Sequence, residues 1–318
     1  MKTLHRLCFS AVLSLVLITV TKAEEAAGKD SVSRWTFDFA GGLNFAQAAL
    51  VNWSAGGESS LSGNGKLDMK LVYLYKGHKW ESNLKTEYGL VYNKTNGLNK
   101  TVDNLLLSTR YGYAIAQSDF YATAFASLET QYDLGFEKAD DRKRWRQKEE
   151  GVNYISAIFA PGYLNTSVGV EYKYKTLVSV YLAPLAGRTT FVMDDFLSRK
   201  GAFGVDSGRH VLFELGMSLS ASLNWNFWNN MYLKSDAVFF TPYNKDFGNI
   251  VVDWSVGLEM AVNRFFTAAI GFNLKYDDKV KTVNKDGTVG GPKVQFREML
   301  TIGIGYTFQQ VSKKRSAL

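Results

Sequence analysis

The sequence predicts an all-β protein, an antiparallel up-and-down transmembrane β-barrel of about twelve strands. Three observations carry this expectation. Period-two alternation recurs along the chain, the alternating segments run longer than ordinary globular strands, and an export signal precedes them. In a chain of 318 residues with 14% aromatics and 28 glycines, no stretch beyond the first 23 residues keeps helical periodicity for the length of an ordinary helix. Helical bundles and α/β folds are therefore excluded.

The first 23 residues read as a signal peptide: a basic start (Lys2, Arg6), an apolar run from Leu7 to Val20, then Thr21, Lys22 and Ala23 before the cleavage point. The apolar run is shorter than the roughly 20 residues a spanning helix needs. Cys8, the one cysteine, lies inside it, so the mature chain is expected to hold no disulfide, thiol nucleophile or zinc-thiolate site. The full chain carries a net charge of +7, and removing Lys2, Arg6 and Lys22 leaves +4, too mild to imply nucleic acid. The expected organisation is 1–23 signal peptide, 24–34 flexible segment, 35–308 barrel and 309–318 basic tail.

The strands follow from the alternation. Val211, Phe213, Leu215, Met217, Leu219, Ala221, Leu223 and Trp225 alternate with Glu214, Gly216, Ser218, Ser220, Ser222 and Asn224. Val252, Trp254, Val256, Leu258 and Met260 do the same against Asp253, Ser255, Gly257 and Glu259, and Leu300, Ile302, Ile304, Tyr306 and Phe308 against Thr301, Gly303, Gly305 and Thr307. Apolar-out, polar-in strands of this length suit a closed barrel in lipid, where every backbone group must find an internal partner. Trp35, Trp80, Tyr92, Tyr111, Tyr113, Trp225, Trp228 and Tyr306 fall near strand ends, as interfacial girdles require.

Strands are expected at 35–45, 58–75, 79–93, 103–116, 119–132, 166–174, 176–184, 208–225, 229–241, 250–262, 265–277 and 295–308. Short connections at Lys76-Gly77-His78, Gln117-Ser118, Lys175, Phe227-Trp228 and Asn263-Arg264 are every second link and lie on one side, the periplasmic side of such a barrel. The stretch 152–159 reads as the rising edge of the next strand, bent at Pro161-Gly162. Fourteen strands is the alternative count.

The fragments Asn52-Trp53-Ser54-Ala55-Gly56-Gly57, Ala160-Pro161-Gly162-Tyr163, Pro184-Leu185-Ala186-Gly187 and Gly201-Ala202-Phe203-Gly204 resemble those of an uncharacterised Bacteroidota outer-membrane β-barrel family, a domain of unknown function. The resemblance spans roughly 35–308. It implies a Gram-negative envelope and a barrel, and supplies no catalytic residues.

The chemistry must then come from single residues. His210, with Ser207 or Glu214, is the best candidate for a lipid-modifying hydrolase, although a lone histidine beside a glycine-flanked loop is more often a rim residue. His78 falls in a short turn. The pairs Asp140-Asp141, Asp194-Asp195 and Asp277-Asp278 lack the spaced oxygens of a calcium loop and read as solvated loop ends, so no metal or cofactor is implied. Glu137 to Arg146 mixes both signs and reads as an exposed turn.

The expected inner face carries Asp38, Asp68, Lys70, Glu81, Lys85, Glu87, Arg110, Glu129, Glu171, Lys173, Glu214, Lys234, Asp236, Asp253, Glu259, Lys275 and Arg297. Among these Lys70, Glu87, Arg110, Lys234 and Glu259 are the candidate lumen-lining residues that would contact water and set selectivity. Opposite charges are expected to bridge the lumen and partly close it, with Glu81, Lys85 and Glu87 on one strand illustrating the pairing, and no single-sign ring predicts an ion preference. Phe191 to Leu197, followed by Gly201, reads first as an ordinary long loop, the alternative being one or two helical turns that fold into the mouth as a constriction. The expected function is a narrow channel for small polar solutes or a docking scaffold. Its expected partners are outer-membrane lipids and other envelope proteins.

Overall fold

A strand with one apolar and one polar face leaves both its edges unpaired, and the arrangement that removes every edge is a closed ring. The computed structural model describes residues 34–48, 60–94, 97–116, 118–136, 139–149, 151–243, 247–263, 266–283 and 289–310. The expected signal peptide, the segment 24–33, the fragment Asn52 to Gly57 and residues 311–318 of the tail lie outside them.

In chain order the strands are β1 (Trp35–Ala48), β2 (Ser60–Tyr75), β3 (His78–Asn93), β4 (Gly97–Ala114), β5 (Phe120–Thr130), β6 (Gly135–Phe136), β7 (Tyr154–Ser156), β8 (Gly162–Tyr174), β9 (Val178–Phe191), β10 (Val211–Trp228), β11 (Met231–Pro242), β12 (Val251–Ala261), β13 (Phe266–Tyr276), β14 (Lys281–Val283), β15 (Val289–Pro292) and β16 (Gln295–Gln310). The pairs β6–β7 and β14–β15 make two small separate sheets. The other twelve strands pair antiparallel with their neighbours, and β16 closes onto β1. Among the described residues two short helices, α1 (Ala139–Arg146) and α2 (Asp195–Arg199), sit in the connections.

The tight connections collect at the end where β1 begins and β16 finishes. Lys76-Gly77 joins β2 to β3 with both residues at positive φ, the hairpin geometry whose twist matches the strands. Asn229-Asn230 joins β10 to β11, two residues past the turn expected at Phe227-Trp228, because the alternation continues to Trp228 before the left-handed Asn230 turns the chain. The connections at the opposite end are longer except that between β3 and β4, which shrinks to residues 94–96 because β4 begins at Gly97 and not at 103 as expected. We call these the turn end and the loop end.

Several expectations are corrected. Residues 152–159 do not join the barrel: Tyr154–Ser156 pairs with Gly135–Phe136 as a loop hairpin, and β8 starts at Gly162, just after Pro161. Strand β9 runs past Pro184 to Phe191, where the sequence reading ended it. The register on both sides jumps at this point, between Val168 and Val170 and between Gly216 and Ser218, so the proline sits in a bulge that asks no ladder N–H of it. A Cβ at Gly169 would collide with the Leu182 carbonyl oxygen, which is why glycine marks that bulge.

Glu137 to Arg146 is not an exposed turn, since residues 139–146 form α1 and Arg142 is buried against Asp133. Phe191 to Leu197 does contain helix, the start of α2, capped by the Asp194 carboxylate at the Leu197 amide (3.0 Å). This segment packs with the β7 hairpin around Ala157, Ala160, Val192, Leu197 and Val205, a small apolar core above the barrel's loop end.

Candidate functional site

The lumen side is identified by contacts that skip strands. Lys173 on β8 lies 3.6 Å from Glu81 on β3 although β5 and β4 separate them, a distance closed only on the concave face. Register then assigns every other residue. On β10 to β13 the opposite, outward positions carry apolar or small residues without a charge, and Phe213, Trp254 and Leu300 on neighbouring strands are well exposed there.

The inner face has two unlike walls. Along β4, β5, β8 and β9 it is packed. Glu171, Thr123 and Tyr181 are each 2% exposed, and Ala183 and Ala186 are buried beside them. Glu171 accepts from Arg110 (2.8 Å) and from the Thr123 hydroxyl (3.3 Å), and Lys173 lies 3.2 Å away. Arg110 also stacks between the rings of Phe125 and Tyr181. Glu81 gathers Lys79 (2.9 Å), Lys70 (3.4 Å) and Lys173. Pairing among the described residues thus runs both ways: Lys79 and Glu81 pair within β3, whereas Lys85 and Glu87 turn to β2. Lys85 goes to Asp68 (3.7 Å), which faces it on β2, and Glu87 accepts from Asn64, diagonal to it on the same strand.

Along β10, β11 and β12 the wall is open. Tyr232, Lys234, Asp236 and Val238 point inward and all are exposed, as are Asn224 and Asn226 opposite them. Lys234 faces Asn224 and Gly257, and Glu259 faces Tyr232 and Ala269. Among the described residues neither Lys234 nor Glu259 makes an ion pair. The five lumen candidates therefore divide: Arg110 is engaged on the packed wall, Lys70 and Glu87 are engaged with side chains of β2 and β3, and Lys234 and Glu259 border the open side.

Towards the loop end the two walls converge on a second ionic layer. Arg188 of β9 donates to Asp277 (2.6 Å) and lies 3.9 Å from Glu214, which holds Lys279 at 2.5 Å. Phe240 is buried at this level. Asp277 and Lys279 belong to the connection after β13, and the Lys279 backbone lies against Gly204 of the β9–β10 connection, so two long loops meet over the mouth. Asp277 is consequently 8% exposed and ion-paired, correcting its reading as a solvated loop end. Asp194 is likewise tied down, accepting from Tyr154 (2.8 Å). Burial, together with that carboxylate, pushes the Tyr154 hydroxyl up to about 12.

Sequence reasoning missed Lys79, Arg188 and Lys279. The first shares the parity of Glu81 and was legible from alternation. Arg188 was hidden because the strand had been ended at Pro184, and Lys279 because loop residues carry no periodicity.

His210 donates from Nδ1 to the Val192 carbonyl (2.7 Å), and its Nε2 lies 3.5 Å from Asp195. Ser207 donates to the Arg199 carbonyl (2.7 Å) and Glu214 is held by Lys279, so neither candidate partner is bonded to His210. His78 meets the Tyr111 hydroxyl (2.7 Å) at the turn end. Among the described residues no group of three or more His, Cys, Asp and Glu side chains is placed to hold a metal ion.

Comparison with known proteins gives the following. No curated protein matches the chain. Solved structures that resemble it include the translocator domain of the autotransporter NalP from Neisseria meningitidis, at 8% identity over 95% of this chain and 98% of that one, with a TM-score of 0.37. An outer membrane channel from Pseudomonas putida F1 follows at 12% identity, 89% and 98% coverage and a TM-score of 0.39. The NanC porin shows 7% identity, 86% and 100% coverage and a TM-score of 0.38. Residues 45–136, which run from the end of β1 to β6, match a family described as a protein of unknown function, DUF3078.

Proposed function

We propose that the chain is an outer-membrane β-barrel that conducts small polar solutes along one side of its lumen. The observation that carries this reading is the exposure of inward-pointing Tyr232, Lys234, Asp236 and Val238: a wall that points inward and still meets solvent encloses water. The uncharged outward positions of β10 to β13, the sequence's export signal and its resemblance to a Bacteroidota envelope family support placement in an outer membrane. Lys234 and Glu259 border the water path, Lys70 and Glu87 act from β2 and β3, and Arg110 acts from the packed wall. At the loop end the path meets the layer of Arg188, Glu214, Asp277 and Lys279, where charge of both signs balances and selects for size over sign.

Single-channel recording of the refolded barrel in a planar bilayer tests this. Small steady openings are expected, and Lys279→Ala should raise conductance roughly twofold by releasing Glu214 and loosening the loop. A folded barrel that stays silent in both forms would overturn the channel reading. That outcome favours the second reading, a plugged scaffold that docks other envelope proteins. The same ionic layer supports it, because the connection after β13 is bound to β9 and β10 across the mouth.

A further inference from the structure

The outer wall of β1 to β5 is not evenly convex. A groove of about 390 Å³ crosses it, within the range of about 300–1,000 Å³ typical of ligand clefts. Small residues floor it: Ser82, Thr109 and Ala126 stand side by side on β3, β4 and β5. Along one side runs a row of Leu84, Leu107, Leu128 and Leu164, and Phe37 and Leu71 close one end. The floor hydroxyls are satisfied within the wall, since the Trp80 indole donates to Thr109 (2.7 Å) and Ser82 lies 3.0 Å from the same oxygen. The groove thus presents an apolar surface that asks nothing of its occupant except hydrocarbon.

Register gives the groove a direction. Tyr73 and Trp80 face each other only a few residues above the Lys76-Gly77 turn, whereas the same row continued through Tyr111 and Ala124 reaches Val168, seven residues above Lys175. The groove therefore climbs obliquely from the turn-end rim at β1 and β2 into the wall. At its low end stand two cations. The Arg34 guanidinium lies 3.8 Å from the centre of the Tyr75 ring and the Lys76 ammonium 5.3 Å from it. Among the described residues neither has an acidic partner, and the outward positions of β1, β2 and β3 carry no acid. Tyr75 is four residues from Leu71, about 13 Å along the strand, and the Trp35–Tyr73 ring pair fills that interval with its centroids 4.8 Å apart.

We propose that this face holds one anionic phospholipid, with its phosphate between Arg34 and Lys76, its glycerol against the Trp35–Tyr73 pair and one acyl chain in the groove. The cations without acids select the headgroup, the aromatic pair suits the interfacial layer, and the oblique uncharged groove takes the chain. The inference rests on the outer wall being lipid-facing, and not on whether the lumen conducts.

The test is native mass spectrometry of the full barrel released from nanodiscs of equal phosphatidylglycerol and phosphatidylethanolamine. One retained lipid is expected, with phosphatidylglycerol favoured roughly fivefold or more. Arg34→Gln with Lys76→Gln should erase that preference and leave total retention unchanged. Ala126→Phe, which fills the floor from the lipid side, should lose the lipid while keeping the heat-modifiable gel shift of a folded barrel. Equal retention of the two lipids, no retained lipid, or indifference to Arg34→Gln with Lys76→Gln would overturn the proposal, as would a dimer sensitive to Ala126→Phe. A chain that stays soluble and folded without detergent would instead sink the lipid-facing reading itself.

Discussion

The two inner walls of this barrel are built from the same alternation and reach opposite ends. On β4, β5, β8 and β9 the inward residues include long charged side chains opposite aromatics, and they reach one another across two or three strands until Glu171 is 2% exposed. On β10 the inward residues Ser220, Ser222, Asn224 and Asn226 are short, and Val238, Asp236, Lys234 and Tyr232, which face them on β11, are exposed. Polarity alone therefore does not decide whether an inner wall packs. A long charge crosses a narrow barrel only where a counter-charge stands within reach, as Glu81 does for Lys173, and the Asn224 and Gly257 that face Lys234 offer none.

The largest expected effect breaks the comparison directly. Glu171→Ala leaves Arg110 and Lys173 in a buried site without their carboxylate, which should cost about 3–5 kcal/mol of stability. Asp236→Ala on the open wall removes an exposed acceptor of Ser222 and should cost less than about 1 kcal/mol. Urea midpoints of the two variants refolded in lipid vesicles and followed by tryptophan fluorescence measure both. Equal losses would mean that the two walls are not physically distinct.

The next effect is one of access. The mature chain is expected to hold no cysteine, so single thiols report cleanly. Asn224→Cys lies on the open wall and Ser127→Cys on the packed one, where Ser127 is 8% exposed. A water-soluble thiol reagent should modify the first at least roughly tenfold faster, since reaction requires solvent contact. Comparable rates would remove the one-sided water path.

How much of this was legible in the sequence follows from where period two holds. The twelve strands, their alternation and the inward parity of Lys70, Glu87, Arg110, Lys234 and Glu259 all follow from that repeat, which the ladder enforces locally. The division of those five between engaged and open positions was not legible, because it depends on contacts between strands far apart in sequence, such as Lys173 with Glu81. A bulge hides periodicity as well. Pro184 reads as a stop, yet the jump in register around it carries β9 on to Arg188 and the loop-end layer. Loops hide more still: α1, the β7 hairpin and the α2 cap are set by Arg142 with Asp133 and by Tyr154 with Asp194, pairs that no local pattern announces.

The smallest effect sharpens the comparison at its outer edge, where the packed side continues into the apolar core around Val192 and Leu197. Tyr154 donates to Asp194, whose carboxylate also caps α2, so the phenol helps hold that carboxylate in place. Its pKa, pushed up to about 12, exceeds the roughly 10 of a free tyrosine, so this contact stabilises the cap fully below about pH 10 and is lost as pH rises through about 12. The difference in absorbance at 295 nm between the native chain and Tyr154→Phe should therefore titrate near the upper value. A midpoint near the lower one would mean that the phenol is neither buried nor bound to Asp194. At neutral pH the same substitution leaves Asp194 without its phenol donor and loosens only the cap, so trypsin should cut after Arg199 and Lys200 a few times faster while the thiol labelling of Asn224→Cys on the open wall stays unchanged.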